Sequence, residues 1–229
     1  IYYPQTGRWV PTAAMANARQ LHSATLLPDG NVLVAGGATL STYSATAEIY
    51  ISSAAYWMST LGNMVDGRSQ HTATLLKNGN VLVAGGVNSL GAMRETQIYN
   101  YLTRSFGGAG PLLNIARYAH TANQLRDGNV IVIGGSNGAD SMKSCEIYNG
   151  TAWAETADLK LNRANHRSVL LPNGKIMLTG GEMSGGTQGV PESFDPDFRS
   201  WSTQGTASGR TNHTSLITRD NLLITMGGW

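Results

Sequence analysis

The chain has 229 residues, a formal net charge of +2 and only 13% charged residues. That balance supplies no strong field toward nucleic acid or an anionic membrane surface, and no apolar run reaches the roughly 18 residues of a membrane span. Cys145 is the only cysteine, which excludes an internal disulfide framework.

Taken in chain order, Ile1-Tyr2 to Trp9 reads as the end of a repeat. Its counterparts run from Tyr50 to Trp57, Tyr99 to Phe106, Tyr148 to Trp153 and Phe194 to Trp201. Turn formers such as Pro4-Gln5-Thr6-Gly7 and Asp195-Pro196-Asp197 lie between the aromatics, so each copy predicts a hairpin. Next comes Arg19-x-x-His22, a short strand to Leu27, the turn Pro28-Asp29-Gly30-Asn31, and Val32-Leu33-Val34-Ala35-Gly36-Gly37. Asn78-Gly79, Asp127-Gly128 and Asn173-Gly174 recur at that turn, where Asp-Gly or Asn-Gly chemistry predicts a two-residue hairpin with positive φ. The fifth copy departs, with Asp220-Asn221 and no Gly.

The motif itself occurs five times, at Arg19/His22, Arg68/His71, Arg117/His120, Arg163/His166 and Arg210/His213. A Gly-Gly pair begins 14 positions after each His, and successive His residues lie 49, 49, 46 and 47 positions apart. A fixed period of this length means one supersecondary unit per repeat. Each unit holds four short strand patterns and no helical stripe, so the chain reads as a single all-β domain favouring a radial propeller over a sandwich. Five motifs predict five blades, approximately residues 12–60, 61–109, 110–157, 158–204, and 205–229 joined to 1–11. In every complete copy the second Gly precedes its aromatic by 13 positions, so Gly228 calls for Tyr2 in a blade shared between the two ends. About ten connecting residues have no counterpart there. Such a clasp would remove two open sheet edges.

Arg-x-x-His, a Gly turn, Val-Leu-Val-x-Gly-Gly, Glu-Ile-Tyr and a Trp together resemble the kelch repeat across essentially the whole chain. The wording Asp-Gly-Asn-Val-Leu-Val-Ala-Gly-Gly is most similar to the bacterial, galactose-oxidase-like branch. The resemblance implies a kelch-like β-propeller. It also leaves open a piece of a longer one, because kelch proteins more often have six or seven blades.

The candidate binding residues are Arg19, Arg68, Arg117, Arg163 and Arg210, with His22, His71, His120, His166 and His213. The resemblance places these at the mouth of a central channel, where Arg in some kelch domains meets acidic peptides; an anionic guest is the expectation. The same residues read more simply as scaffold satisfying backbone groups between blades. Glu48, Gln97, Glu146 and Glu192 share one repeat position and match the Arg set, predicting repeated bidentate Arg–carboxylate pairs. The Gly-Gly pairs and the aromatics read as packing between blades.

No catalytic residue, metal site or cofactor is expected. In the galactose-oxidase-like branch a motif His is a copper ligand preceded by Tyr; here Leu21, Gln70, Ala119, Asn165 and Asn212 precede it, and Cys145 sits in an ordinary repeat position. A glycosidase would need a non-repeating pair of carboxylates; Asp66, Asp140, Asp158 and Glu182 are candidates that no spacing connects. What varies between copies is the segment after Gly-Gly: residues 38–47, 87–96, 136–145 and 182–191. Loops on a rigid scaffold are where specificity resides. The expected function is non-catalytic binding or assembly through one propeller face, with a protein or glycan partner, as part of an extracellular or surface protein. Other domains or copies of the same protein are further candidate partners. The alternatives are a lectin with repeated sites and, behind it, a galactose-oxidase-like or glycan-acting enzyme.

Overall fold

The computed structural model describes residues 1–229 and contains 24 strands and no helix. β1 (Tyr2–Tyr3) and β2 (Arg8–Trp9) form an isolated hairpin. β3 (Ser23–Leu26), β4 (Val32–Ala35), β5 (Ala47–Ile51) and β6 (Tyr56–Ser59) make the first four-stranded sheet. The second has β7 (Thr72–Leu75) and β8 (Val81–Ala84), then the small hairpin β9 (Val87–Asn88) and β10 (Gly91–Ala92), then β11 (Thr96–Asn100) and β12 (Ser105–Ala109). The third is β13 (Thr121–Gln124), β14 (Val130–Ile133), β15 (Cys145–Tyr148) and β16 (Trp153–Thr156). The fourth contains β17 (Arg167–Leu170), β18 (Ile176–Thr179), the hairpin β19 (Glu182–Met183) and β20 (Gly186–Thr187), β21 (Glu192–Asp195) and β22 (Ser200–Thr203). β23 (Thr214–Ile217) and β24 (Leu223–Met226) end the chain as a two-stranded sheet.

Each four-stranded sheet is an antiparallel meander, and the first strands β3, β7, β13, β17 and β23 follow one another as neighbours. The Gly turn differs from the two-residue form its sequence suggests. Leu27 N–H donates to Asn31 and Gly30 N–H to Leu27, and only Gly30 has positive φ, at 80°. This is a three-residue loop, a type I turn closed by one left-handed residue. Asn221 takes the left-handed position in the fifth copy, with φ 62°, which explains how that turn forms without Gly.

The core lies between sheets. Leu33 and Ile49 of the first pack with Val81, Val83 and Tyr99 of the second. Leu82 and Ala84 on the second sheet's other side meet Val130, Val132, Tyr148 and Trp153 of the third. Ile131, Ile133 and Ile147 continue the series against Ile176, Leu178, Phe194 and Trp201. Strands buried on both faces lose their alternation, so β8 and β14 read Val-Leu-Val-Ala and Val-Ile-Val-Ile. Each aromatic pair also proves to be a cross-strand pair within one sheet, with ring centroids 5.0 Å apart for Phe194 and Trp201 and 5.1 Å for Tyr50 and Trp57.

The series ends at the first sheet on one side and at β23–β24 on the other. Leu26, Ile224 and Met226 are exposed there. β1–β2 and β23–β24 are separate two-stranded hairpins that do not pair, so the fifth sheet expected from the two ends of the chain is not formed in the structure.

Candidate functional site

The motif residues are placed by a lattice of backbone contacts. Gly37 N–H donates to the carbonyl of Arg68 at 2.8 Å, and Gly86, Gly135 and Gly181 repeat this to Arg117, Arg163 and Arg210. A Cβ on Gly36 would stand 2.6 Å from that Arg68 oxygen and 2.7 Å from the His71 ring. Gly-Gly is therefore the seam through which one unit grips the next.

The Arg side chains turn back into their own sheets. Arg19 Nη1 donates to Gly36 O at 2.8 Å and to Thr46 O at 2.9 Å, while Nη2 reaches Glu48 Oε1 at 2.7 Å. Arg117–Glu146 at 2.9 Å and Arg163–Glu192 at 2.7 Å repeat the ion pair. These pairs use one carboxylate oxygen each, where a bidentate fit was expected. The other oxygen of Glu48 accepts Ala16 N–H at 2.7 Å, and the oxygen facing Arg19 also takes Asn17 N–H. Arg68 has no carboxylate partner because its unit carries Gln97; it bonds Gly85 O and Glu95 O. Arg19, Arg68, Arg117 and Arg163 thus have their guanidinium groups buried in scaffold contacts, not facing a channel mouth. Arg210 is half-buried, with a single bond to Gly227 O at 3.2 Å.

The His side chains link consecutive units. Ser23 Oγ shares a hydrogen bond with His71 Nε2, Thr72 Oγ1 with His120 and Thr121 Oγ1 with His166, each at 2.9 Å. His213 meets Thr179 Oγ1 instead, because Arg167 stands where the other units have Ser or Thr. Burial, then the neighbouring Arg68 and His22, lowers His71 to about 3. His120 and His166 are held well below the ordinary value mainly by burial, and His213 is lowered too. These imidazoles are neutral at physiological pH. His22, at the open end, has no such partner and is exposed.

The residues just before each His form a second row that sequence reasoning missed. Leu21, Gln70, Ala119, Asn165 and Asn212 all have φ between 51° and 55°. Gln70 N–H donates to Leu21 O, Ala119 N–H to Gln70 O and Asn165 N–H to Ala119 O, at 2.9–3.1 Å. Only Asn favours this region locally, so Leu and Ala gave no signal; tertiary hydrogen bonds hold them there. Together with His22, His71, His120 and Arg167 these residues line a cavity of about 200 Å³ beside the first strands of the sheets. The cation at that cavity is Arg167, outside the motif.

A larger cleft of about 510 Å³ opens beside it, between the Ser136–Ser141 loop and the β19–β20 hairpin. Tyr118, Asp140, Glu182, Thr211 and Trp229 line it. Asn165, from that row, donates its amide to Glu182 Oε1 at 2.6 Å and so couples the two spaces. Asp140 and Glu182, unconnected by spacing in the sequence, therefore share one site. Among the described residues no group of three His, Cys, Asp or Glu side chains could hold a metal ion. The chain matches no protein-family model and none of the curated proteins.

Proposed function

We propose that the chain is a kelch-like β-propeller with five units and serves as a non-catalytic binding module that engages a protein partner through its loop face. Support for the fifth unit comes from its halves. Tyr2 and Trp9 stack at 5.2 Å like the four complete pairs, and Leu223 holds the position of Val32, whose cross-strand partner is Tyr50. Tyr2 beside Leu223 would complete the sheet.

The observation that carries the functional reading is the loop face. Successive strands alternate in direction, so the segments after every Gly-Gly pair emerge on one face and the Gly turns on the other. Leu40 is 102% exposed at the tip of the first loop and Leu90 is 95% exposed at the tip of the second. Exposed apolar tips on the same face as polar loop residues give the mixed surface that protein interfaces use. The repeated Glu48, Glu146 and Glu192 are engaged by Arg, which favours binding over acid–base chemistry. Few charges and Ser/Thr/Asn-rich loops favour an extracellular or surface setting, and an anionic group on the partner would find Arg167 at the cavity beside the first strands.

The test is a photo-cross-linking amino acid placed at position 40 or 90, and separately at Asn78 or Asn173 on the turn face, in the cell that makes the protein. One and the same partner should be trapped from the two loop positions and from neither turn position. Trapping from the turn face, or from no position, would sink the proposal.

A further inference from the structure

We infer that β12 is a strap that opens from the second sheet while the rest of the molecule stays folded, baring the hydrogen-bonding edge of β11. The sister units show what that sheet lacks. Glu146 accepts two backbone N–H groups of the linker that precedes its sheet, from Asn114 at 2.7 Å and Ile115 at 3.1 Å, and is fixed in turn by Arg117. Glu48 and Glu192 do the same in the first and fourth units. In the second unit Gln97 takes that place and accepts one linker N–H, from Val65 at 3.0 Å. Arg68, only 1% exposed, has no carboxylate within ion-pair distance. One neutral bond is weaker than the charge-assisted set it replaces. The outer strands β6 and β22 are also tied to their linkers by indole N–H groups, Trp57 to Ala13 O and Trp201 to Ala157 O. Phe106 of β12 has no such donor.

The strand itself is loosely built. Its pairing with β11 shifts register between Gln97 and Tyr99, a bulge that interrupts the ladder. Gly107 and Gly108 lie in that bulge, and both are exposed. Neither has positive φ; a Cβ on Gly107 would come no closer than 3.6 Å to another atom, and one on Gly108 would meet nothing within 4 Å. No turn or close approach therefore requires glycine here, and two of them in a strand only add freedom to the open chain. What holds β12 is Phe106 stacked on Tyr99 at 5.2 Å, the Gln97 amide donating to Gly107 O at 2.6 Å, and Leu61 N–H donating to Arg104 O at 2.8 Å. Phe106 is half-buried, whereas Trp153 of β16 and Trp201 of β22 are buried. Few buried contacts and exposed backbone place a segment at the low end of local stability. β11 is held independently, paired over Thr96–Tyr99 to the fully buried β8, so it stays when β12 lifts.

Amide hydrogen exchange, followed residue by residue by NMR on the whole chain, reads the opening directly. Protection in β12 should be about a hundredfold lower than in β16 and β22. It should also stay nearly constant in guanidinium below the unfolding transition, because a local opening exposes little surface. Gly107→Ala with Gly108→Ala, which the backbone and the surrounding space accommodate, should slow exchange in β12 about tenfold by restricting the open strand. Protection in β12 equal to that in β16 and β22, or falling with denaturant in step with them, would overturn the inference from the parent protein alone. An unchanged β12 rate in the alanine pair would overturn it as well. No partner is needed for the measurement, so failure of the cross-linking from positions 40 and 90 would leave the strap standing.

Discussion

Acidification should unfold this protein from the inside, through its buried histidines. His71, His120 and His166 are buried and neutral, each with Nε2 bonded to the hydroxyl of the preceding unit. His71 is lowered from 6.5 to about 3, by burial first and then by Arg68 and His22. Because the folded value lies below the unfolded one, the unfolded chain binds more protons between those limits, and stability falls as pH falls from 6.5. Between pH 7.5 and 5 His71 contributes a loss of about 2 kcal/mol, and His120 and His166, lowered for the same reason, shift stability in the same direction. Against a whole stability of about 5–15 kcal/mol for many domains, that loss is large. Glu48 has its value depressed below 4.5, so its contribution is fully present above 4.5 and fades only on further acidification. Denaturant unfolding at pH 7.5, 6 and 5 should therefore give a falling midpoint, with protons taken up on unfolding near pH 5. A change below about 1 kcal/mol over that range would refute the neutral, buried histidines. His71→Gln should lower the proton uptake by about one while remaining less stable than the parent.

Two other outcomes follow from buried groups. Glu146→Ala leaves the Arg117 guanidinium buried without its counter-charge and should cost about 3–5 kcal/mol in denaturant unfolding. Gln97→Ala, at the same repeat position in the unit without an ion pair, loses neutral bonds to Val65 N–H and Gly107 O and should cost about 1–3 kcal/mol; equal losses would refute the distinction. Burial pushes the Cys145 thiol up to about 12. The native protein should therefore leave a disulfide reagent unreacted at pH 8 and react fully once unfolded, and prompt native reaction would contradict the packing.

Much of the fold was legible because it repeats. Four strands per unit, the Arg–Glu matching and the scaffold role of Gly-Gly were readable from spacing, and the sheets and hydrogen bonds bear them out. What spacing does not encode is direction. The Arg residues recur at the position expected for a channel mouth, yet the guanidinium of Arg117 folds back onto Gly134 O and Ser144 O. The turn at Gly30 was legible as a turn but not in its length, because Asp-Gly suits both a two-residue loop and a type I turn with a left-handed third residue. The left-handed row was invisible, since Leu21 and Ala119 are held there by tertiary hydrogen bonds against their own preference.

Repeated side chains and those that depart from the repeat meet different surroundings for a physical reason. A side chain that recurs in every unit meets the same neighbours each time. The Nη groups of Arg meet Gly carbonyls and, in three units, Glu, and His Nε2 meets a Ser or Thr hydroxyl, while Arg Nε and His Nδ1 recur without a partner. A side chain that breaks the pattern has no prepared partner. Arg167 replaces the hydroxyl of Ser23, Thr72 and Thr121, lies without a carboxylate partner and lines the cavity beside the first strands. Asp140 and Glu182 arise on loops of different length and meet in a cleft lined by no Lys or Arg. Ligand contacts are accordingly to be sought at these departures, and a substitution there should alter binding with little effect on stability, the reverse of a substitution in the motif.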